Sequence, residues 1–345
     1  MGEDGRVFVR GLESDKYELE AFRREQLARP RVRDEKVVTD HGEAVAHSGS
    51  NKQSRTWWRI GPGDEDFLTQ TLQVHFVELP GESSNHGHGH QNEAAFYILE
   101  GRGYEIHDDQ RYEWEKDDLV FVHTDSVHRH FNPYPEKAVA LVVKAKCSWR
   151  FMGLIQQGRS GPVENEEKFG PREEWGQIWT PGVLDRKKVI KPSDCTWETT
   201  QLGRVRVMNA PERTDARQFS VDAHELQVPA GSRSGKYWKM ADEVHYILEG
   251  GGYALMWEVE SEIAEKYYAR IAKEPTRHEF TTGDTVYVPQ NHICQIFAAD
   301  GTPLRVLSFQ NRLFKHLGYD NVAYLEDAPE YTASAQQLGE LAGQA

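Results

Sequence analysis

The chain has 345 residues, 38% hydrophobic and 11% aromatic, enough to bury a substantial core. A disordered tail or a minimal module is therefore excluded, and about two domains is the natural starting point. Its 55 acidic against 41 basic side chains leave a formal charge of −14, which gives no whole-molecule attraction to phosphate backbones or anionic lipid.

The start, Met1-Gly2-Glu3-Asp4-Gly5, is too acidic for a secretory signal or transit peptide, and no apolar run reaches the roughly 18 residues that a membrane span needs. A cytoplasmic protein with neither a nucleic-acid nor a membrane partner is expected. The first fifty or so residues are polar and charged, with one helix expected around Lys16 to Arg29. Short strands follow, as in Thr71–Leu79 and Ala138–Lys144, separated by Gly, Pro, Asp and Asn turns. In the strand near Arg55, Trp57 and Trp58, these side chains read as packing and rim. Cys147, Cys195 and Cys294 never form a C-x-x-C pair, so neither a disulfide framework nor a zinc-thiolate site is indicated.

Phe96–Tyr104 reads FYILEGRGY and His245–Tyr253 reads HYILEGGGY, seven identities in nine at an offset of 149 residues. A second pair, DLVFVH from Asp118 and DTVYVP from Asp284, recurs at an offset of 166, so the second copy carries 17 extra residues. Two homologous β-rich domains are the simplest explanation. Within the insertion, Ile263, Tyr267 and Ile271 fall at four-residue spacing, with Glu262 and Lys266 placed for an i,i+4 pair. That spacing predicts an amphipathic helix over 257–273, closed by Pro275. Between the halves, 158–192 is rich in Gly, Pro and charge yet carries Trp175, Ile178, Trp179 and Val183, which predicts a packed, irregular connector rather than a flexible linker. The expected organisation is an N-terminal extension (1–55), a first barrel (56–150), the connector (151–200), a second barrel (201–320) and a C-terminal tail (321–345). The fold class is all-β with short helical additions.

Chemistry concentrates in GESSNHGHGHQNE, residues 81–93, where His86, His88 and His90 alternate with glycine. Alternate residues of a strand share a face, so two histidines two apart can aim both imidazoles at one ion. His123, His128 and His130 lie in VHTDSVHRHFN, just after the DLVFVH strand, and are candidates for a third ligand.

These two segments resemble the motifs of the cupin superfamily, whose fold is a double-stranded β-helix barrel. The family's His-x-His pair falls at His88 and His90, its glutamate at Ala94, its later histidine at His128 and its asparagine at Asn132. Asp117, His123 and Asp125 replace three of its turn residues. The resemblance thus implies a metal site of His88, His90 and His128, with His130 on the same face as a possible acid or base. An alternative register, His86 and His88 followed by Glu93, leaves seven residues instead of six before Gly101 and stays open on sequence. His75, His107 and His130 read as polar wall or surface, His130 also as an acid or base two residues from His128. In the second half the corresponding positions are Tyr237, Lys239, Glu243 and Cys294, so the fold pattern persists while the ligands are lost and a metal-free barrel is expected.

Among cupins the chain is similar in size, two-barrel organisation and the alanine after His-x-His-x3 to gentisate dioxygenase and related ring-cleaving bicupins. That likeness implies an Fe(II)-dependent dioxygenase, with Mn, Ni or Cu as other metals, that cleaves a C–C bond of a hydroxylated aromatic acid or related bidentate substrate. Its partners would be a small molecule and dioxygen, in a homo-oligomer. With His130 as proton acceptor, an apparent pKa near neutrality is expected. The competing reading is a non-oxidative cupin, an isomerase or decarboxylase, or a small-molecule binding module.

Overall fold

The computed structural model describes residues 19–33, 45–47, 54–60, 69–85, 87–107, 109–124, 126–154, 157–159, 166–176, 186–216 and 218–334. Within them β-branched and aromatic residues alternate with polar ones between tight turns, and the strands they form build four antiparallel sheets. In the first barrel a seven-stranded sheet runs in the order Val189–Ile190, Leu119–Val122, Ala94–Glu100, Ala138–Lys144, Gln73–Leu79, Ser54–Ile60, Val45–His47. Facing it are Gln157–Arg159, His88–His90, Ser126–Asn132, Arg102–His107 and Gln110–Glu115, with Ser83–Ser84 paired to Ser126–Asn132.

The second barrel repeats this plan. Its seven-stranded sheet contains Glu243–Glu249 between Thr285–Val288 and Leu304–Asn311, and its other sheet contains His292–Ala298 between Gly251–Ile263 and Lys236–Lys239. The expected all-β bicupin architecture is therefore present.

Alternation of side chains divides the cores. Ala94, Phe96 and Ile98 join Ala138, Ala140 and Val142 in a cluster inside the first barrel. Their neighbours Ala95, Tyr97, Leu141 and Val143 join Val244, Tyr246, Leu307 and Phe309 of the second half in one continuous cluster. The seven-stranded sheets thus pack back to back, each lining its own barrel with its other face. Burying a large apolar side chain contributes about 1.5–3 kcal/mol, so this shared core holds the two barrels together strongly. The Tyr97 hydroxyl also crosses the interface to Glu225 at 3.1 Å, and Arg206 and Arg305 hold that carboxylate at 2.7 and 3.0 Å.

The glycine that ends each repeat strand has a steric reason. Gly101 and Gly250 adopt φ of +81° and +85°, and a Cβ there would lie 2.5 Å from the Lys137 carbonyl oxygen or 2.7 Å from that of Pro303.

The flanking segments are tied to the barrels. A helix at Leu19–Ala28 places Gln26 to donate to the Tyr287 hydroxyl at 2.9 Å, and Val32–Arg33 pairs with Thr285–Val288, so this stretch docks on the second barrel. Val189–Ile190 adds an edge strand to the first. Val322–Glu326 pairs with Lys236–Lys239. In the connector Trp175 is exposed, contrary to the packing expected of it, its Nε1 donating to the Phe169 carbonyl at 2.9 Å. Ile178, Trp179 and Val183 lie outside the described residues. No described helix is long and apolar enough to cross a membrane.

The helix expected over 257–273 is instead a β-hairpin, in which Gly251–Ile263 turns back through Ala264–Lys266 into Tyr267–Ile271. The four-residue spacing that suggested a helix arises from the hairpin itself. Ile263 pairs with Tyr267 and Val259 with Ile271, so apolar residues separated in sequence meet across the ladder. Glu260 and Arg270 pair across the same ladder.

Candidate metal centre

His88 and His128 are direct cross-strand partners, and Gly89 between His88 and His90 faces Val127. A Cβ on Gly89 would meet the Ser126 carbonyl oxygen at 3.2 Å, so the close approach of these strands favours the bare glycine. Alternation then puts His88 and His90 on the same face as His128 and His130. Ring centroids lie 5.6 Å apart for His88 and His90, 4.3 Å for His88 and His128, and 4.9 Å for His90 and His128. One nitrogen from each ring falls within 4.8 Å of the others, a grouping that could hold a metal ion.

The protonation chemistry suits that role. Burial, then Lys144 and His88, holds His90 well below the usual histidine range, and burial, then His130, does the same to His128. Both are therefore neutral imidazoles with a free lone pair. His90 Nδ1 lies 2.5 Å from the Asn92 carbonyl oxygen, so it carries the proton and donates, leaving Nε2 as the ligand atom. His128 Nδ1 is buried without a hydrogen-bond partner among the described residues. This donor set fits a divalent transition metal, for which imidazole is a good ligand.

Among the described residues no carboxylate joins the three rings. Ala94 is fully buried on the inner face. Glu93, one residue earlier, turns the other way and accepts from the Phe219 amide at 3.0 and 3.1 Å across the barrel interface. Burial pushes Glu93 up to about 7, against the opposing hydrogen bonds of Ser220 and Phe219. The register with Glu93 beside the ion therefore finds no support in its contacts; His86 lies outside the described residues.

The remaining histidines are distributed through the barrel interior. His75, His107 and His130 are all buried, which removes the surface reading. His107 stacks on His123 at 4.1 Å, and His123 Nε2 pairs with the Ser126 hydroxyl. His130 sits over Phe96 at 4.8 Å and places Nδ1 3.3 Å from the Glu105 carboxylate, which also contacts the Lys188 ammonium. Burial, then His88 and Lys144, pushes His130 down to about 3, so it is neutral at pH 7. Asn132 staples a loop, donating to carbonyl oxygens of Leu79, Pro80 and Glu136 at 3.2, 3.2 and 2.7 Å. For Arg55, Trp57 and Trp58 the strand Ser54–Ile60 is present, while their side chains are outside the description.

Glu105, Lys188, Lys144 and Gln73 escaped the sequence reading. Glu105 had a signal: Gly103, Glu105 and His107 alternate with outward Tyr104 and Ile106, so a carboxylate sits on an inward face. Lys188 had none, being one of two adjacent lysines in a connector. Lys144, pushed down to about 8 by burial and then Lys146, closes the run AVALVVK and looks like a solvated strand end.

At the corresponding place in the second barrel, Lys239 Nζ lies 2.7 Å from Glu243 and 3.1 Å from Gln310 Oε1. Tyr237 donates to the same carboxylate at 2.7 Å. Burial would raise Glu243, but Lys239, His245 and His224 bring it down to about 2. Cys294 is pushed up to about 12 by burial and then Glu243, so it is a thiol rather than a thiolate ligand. An ammonium thus supplies the positive charge that Glu243 faces.

Residues 74–144 match the family model described as a cupin domain. No curated protein matches the chain. Among solved structures, a variant of salicylate 1,2-dioxygenase from Pseudoaminobacter salicylatoxidans in complex with gentisate is similar at a TM-score of 0.62 and 12% identity, covering 92% of this chain and 98% of that one. Another structure of salicylate 1,2-dioxygenase from the same organism gives 0.62 and 11%, covering 90% and 98%. The vicilin from Solanum melongena gives 0.55 and 15%, covering 88% of each chain. The chain thus carries a cupin domain at 74–144, and a second barrel of the same plan packs against it in a two-barrel, bicupin fold.

Proposed function

We propose that the chain is an Fe(II)-dependent dioxygenase that holds its ion on His88, His90 and His128 and cleaves a C–C bond of a hydroxylated aromatic acid or a related bidentate substrate. The observation that carries this reading is the cluster of three imidazoles, two of them held neutral by burial, with alanine in the carboxylate position. When bound, the ion would supply redox chemistry with dioxygen and Lewis-acid attraction for substrate oxygens. The fold likeness to salicylate 1,2-dioxygenase supports the same reading.

The chain's residues contribute the rest. Ala94 leaves unfilled the position that a glutamate side chain would take. His130 has Nδ1 turned to Glu105, so its Nε2, buried and without a hydrogen-bond partner among the described residues, presents a lone pair. As a neutral ring it can accept a hydrogen bond from a phenol or enol hydroxyl and so orient the substrate. Phe96, Trp114, Val77, Ile98 and Val120 line a small apolar hollow beside His130, which gives the site an apolar wall.

A binding module or non-oxidative cupin is the second reading, kept open by the vicilin likeness, since one fold serves several roles. The deciding experiment is oxygen uptake by anaerobically Fe(II)-loaded protein against hydroxylated aromatic acids, diketones and enols. Uptake dependent on one of these ligands is expected. Ligand binding with no oxygen consumed across the panel overturns the dioxygenase reading.

A further inference from the structure

The inner wall of the first barrel is apolar around Phe96 and Ile98 and polar where the three histidines meet. Val142 belongs to the inward cluster and Val143 to the inter-barrel cluster, so alternation turns Lys144 inward as well. The pairing of Val143 with Ala95 sets Lys144 beside Ala94, and on its other side Lys144 is the direct partner of Gln73. Its charge reaches the site, since it is among the groups that depress both His90 and His130.

Neither member of this pair is satisfied among the described residues. Lys144 makes no hydrogen bond or ion pair among the described residues, although it is half-buried. Gln73 Oε1 is buried and has no hydrogen-bond partner there either. Other interior cations are matched, as Lys188 is with Glu105 and Lys239 with Glu243. A glutamate at position 94 would have lain against the Lys144 ammonium and neutralised it. Alanine leaves that charge for whatever enters. A divalent ion on three imidazoles would add to it; among the described residues no carboxylate groups with the three rings, and Glu105 is engaged by Lys188 and His130.

We propose that Lys144, with Gln73 beside it, is the anion-recognition element of the site: it orients a carboxylate on the bound organic ligand and restricts the site to anionic chelators. The proposal rests on the metal reading of His88, His90 and His128. Lys144 is a positioning and specificity residue; it supplies no ligand to the ion. Two consequences have opposite sign. Removing its charge weakens an anionic ligand, and it strengthens the metal, because an ammonium near a dication repels it.

The test uses the full chain loaded anaerobically with Fe(II), as wild type, Lys144→Met, Lys144→Gln and Lys144→Arg. Binding of 2-hydroxybenzoate and of 2-hydroxybenzamide, which differ in carrying a carboxylate or a neutral amide, is measured by calorimetry. Wild type should prefer the acid by about tenfold or more, the scale of one charge-assisted hydrogen bond. The two neutral variants should lower that preference severalfold and bind Fe(II) more tightly, while Lys144→Arg keeps most of it. A preference unchanged in both neutral variants, or equal weakening of acid and amide, overturns the proposal. Wild type that fails to load Fe(II) strikes the metal reading itself, whereas loaded wild type without an acid preference strikes only the role of Lys144.

Discussion

Replacing Glu93 by glutamine tests how the strand before Ala94 is oriented. The carboxyl is fully buried against Phe219 and Ser220, and burial raises it from 4.5 to about 7. A carboxyl raised in the folded state binds its proton more tightly there than in the unfolded chain. The stability it contributes is present below about 4.5 and is lost as pH rises through about 7, where a charge must be held inside. Two to three pKa units correspond to about 3 kcal/mol, and between pH 5 and pH 8 roughly 2–3 kcal/mol of it is lost. Glu93→Gln has no proton to lose and should escape this decline. Chemical denaturation of metal-free wild type and variant at the two pH values reads the difference directly. The variant should gain about 2–3 kcal/mol on wild type between pH 5 and pH 8, with its metal content unchanged. A stability difference independent of pH, or loss of metal in the variant, would refute the burial of Glu93 against the second barrel.

Other outcomes follow from the same contacts. Gly101→Ala forces a Cβ toward the Lys137 carbonyl at a positive φ, so thermal unfolding should show a loss of about 1–3 kcal/mol; an unchanged midpoint would contradict the turn geometry. Lys239→Met leaves Glu243 buried without its ammonium and should cost about 3–5 kcal/mol in denaturant titrations. A cost under about 0.5 kcal/mol, the usual size of a surface change, would show that the ion pair does not organise the second barrel.

The repeat and the cupin motifs were legible because both depend on local rules. A strand that must turn sharply ends on glycine, and two ligands on one face must be two residues apart. That logic located Gly101, Gly250, His88, His90 and His128. The hairpin at 251–271 was misread because cross-strand pairing over a short turn mimics helical spacing when only sequence distance is counted. The polar surroundings of the site were hidden for a different reason. Glu105, Lys188, Lys144 and Gln73 come from different strands and the connector, and only the ladder registers bring them to the histidines. The lowered pKa of His130 was hidden too, because desolvation depends on how completely the barrel closes over it.

The most direct test of the account is the iron content of protein reconstituted anaerobically with Fe(II), measured for wild type and His128→Ala. About one ion per chain in wild type, falling to near zero in the variant, is the predicted result. Two ions per chain, or iron retained by His128→Ala, would contradict a single three-histidine centre in the first barrel.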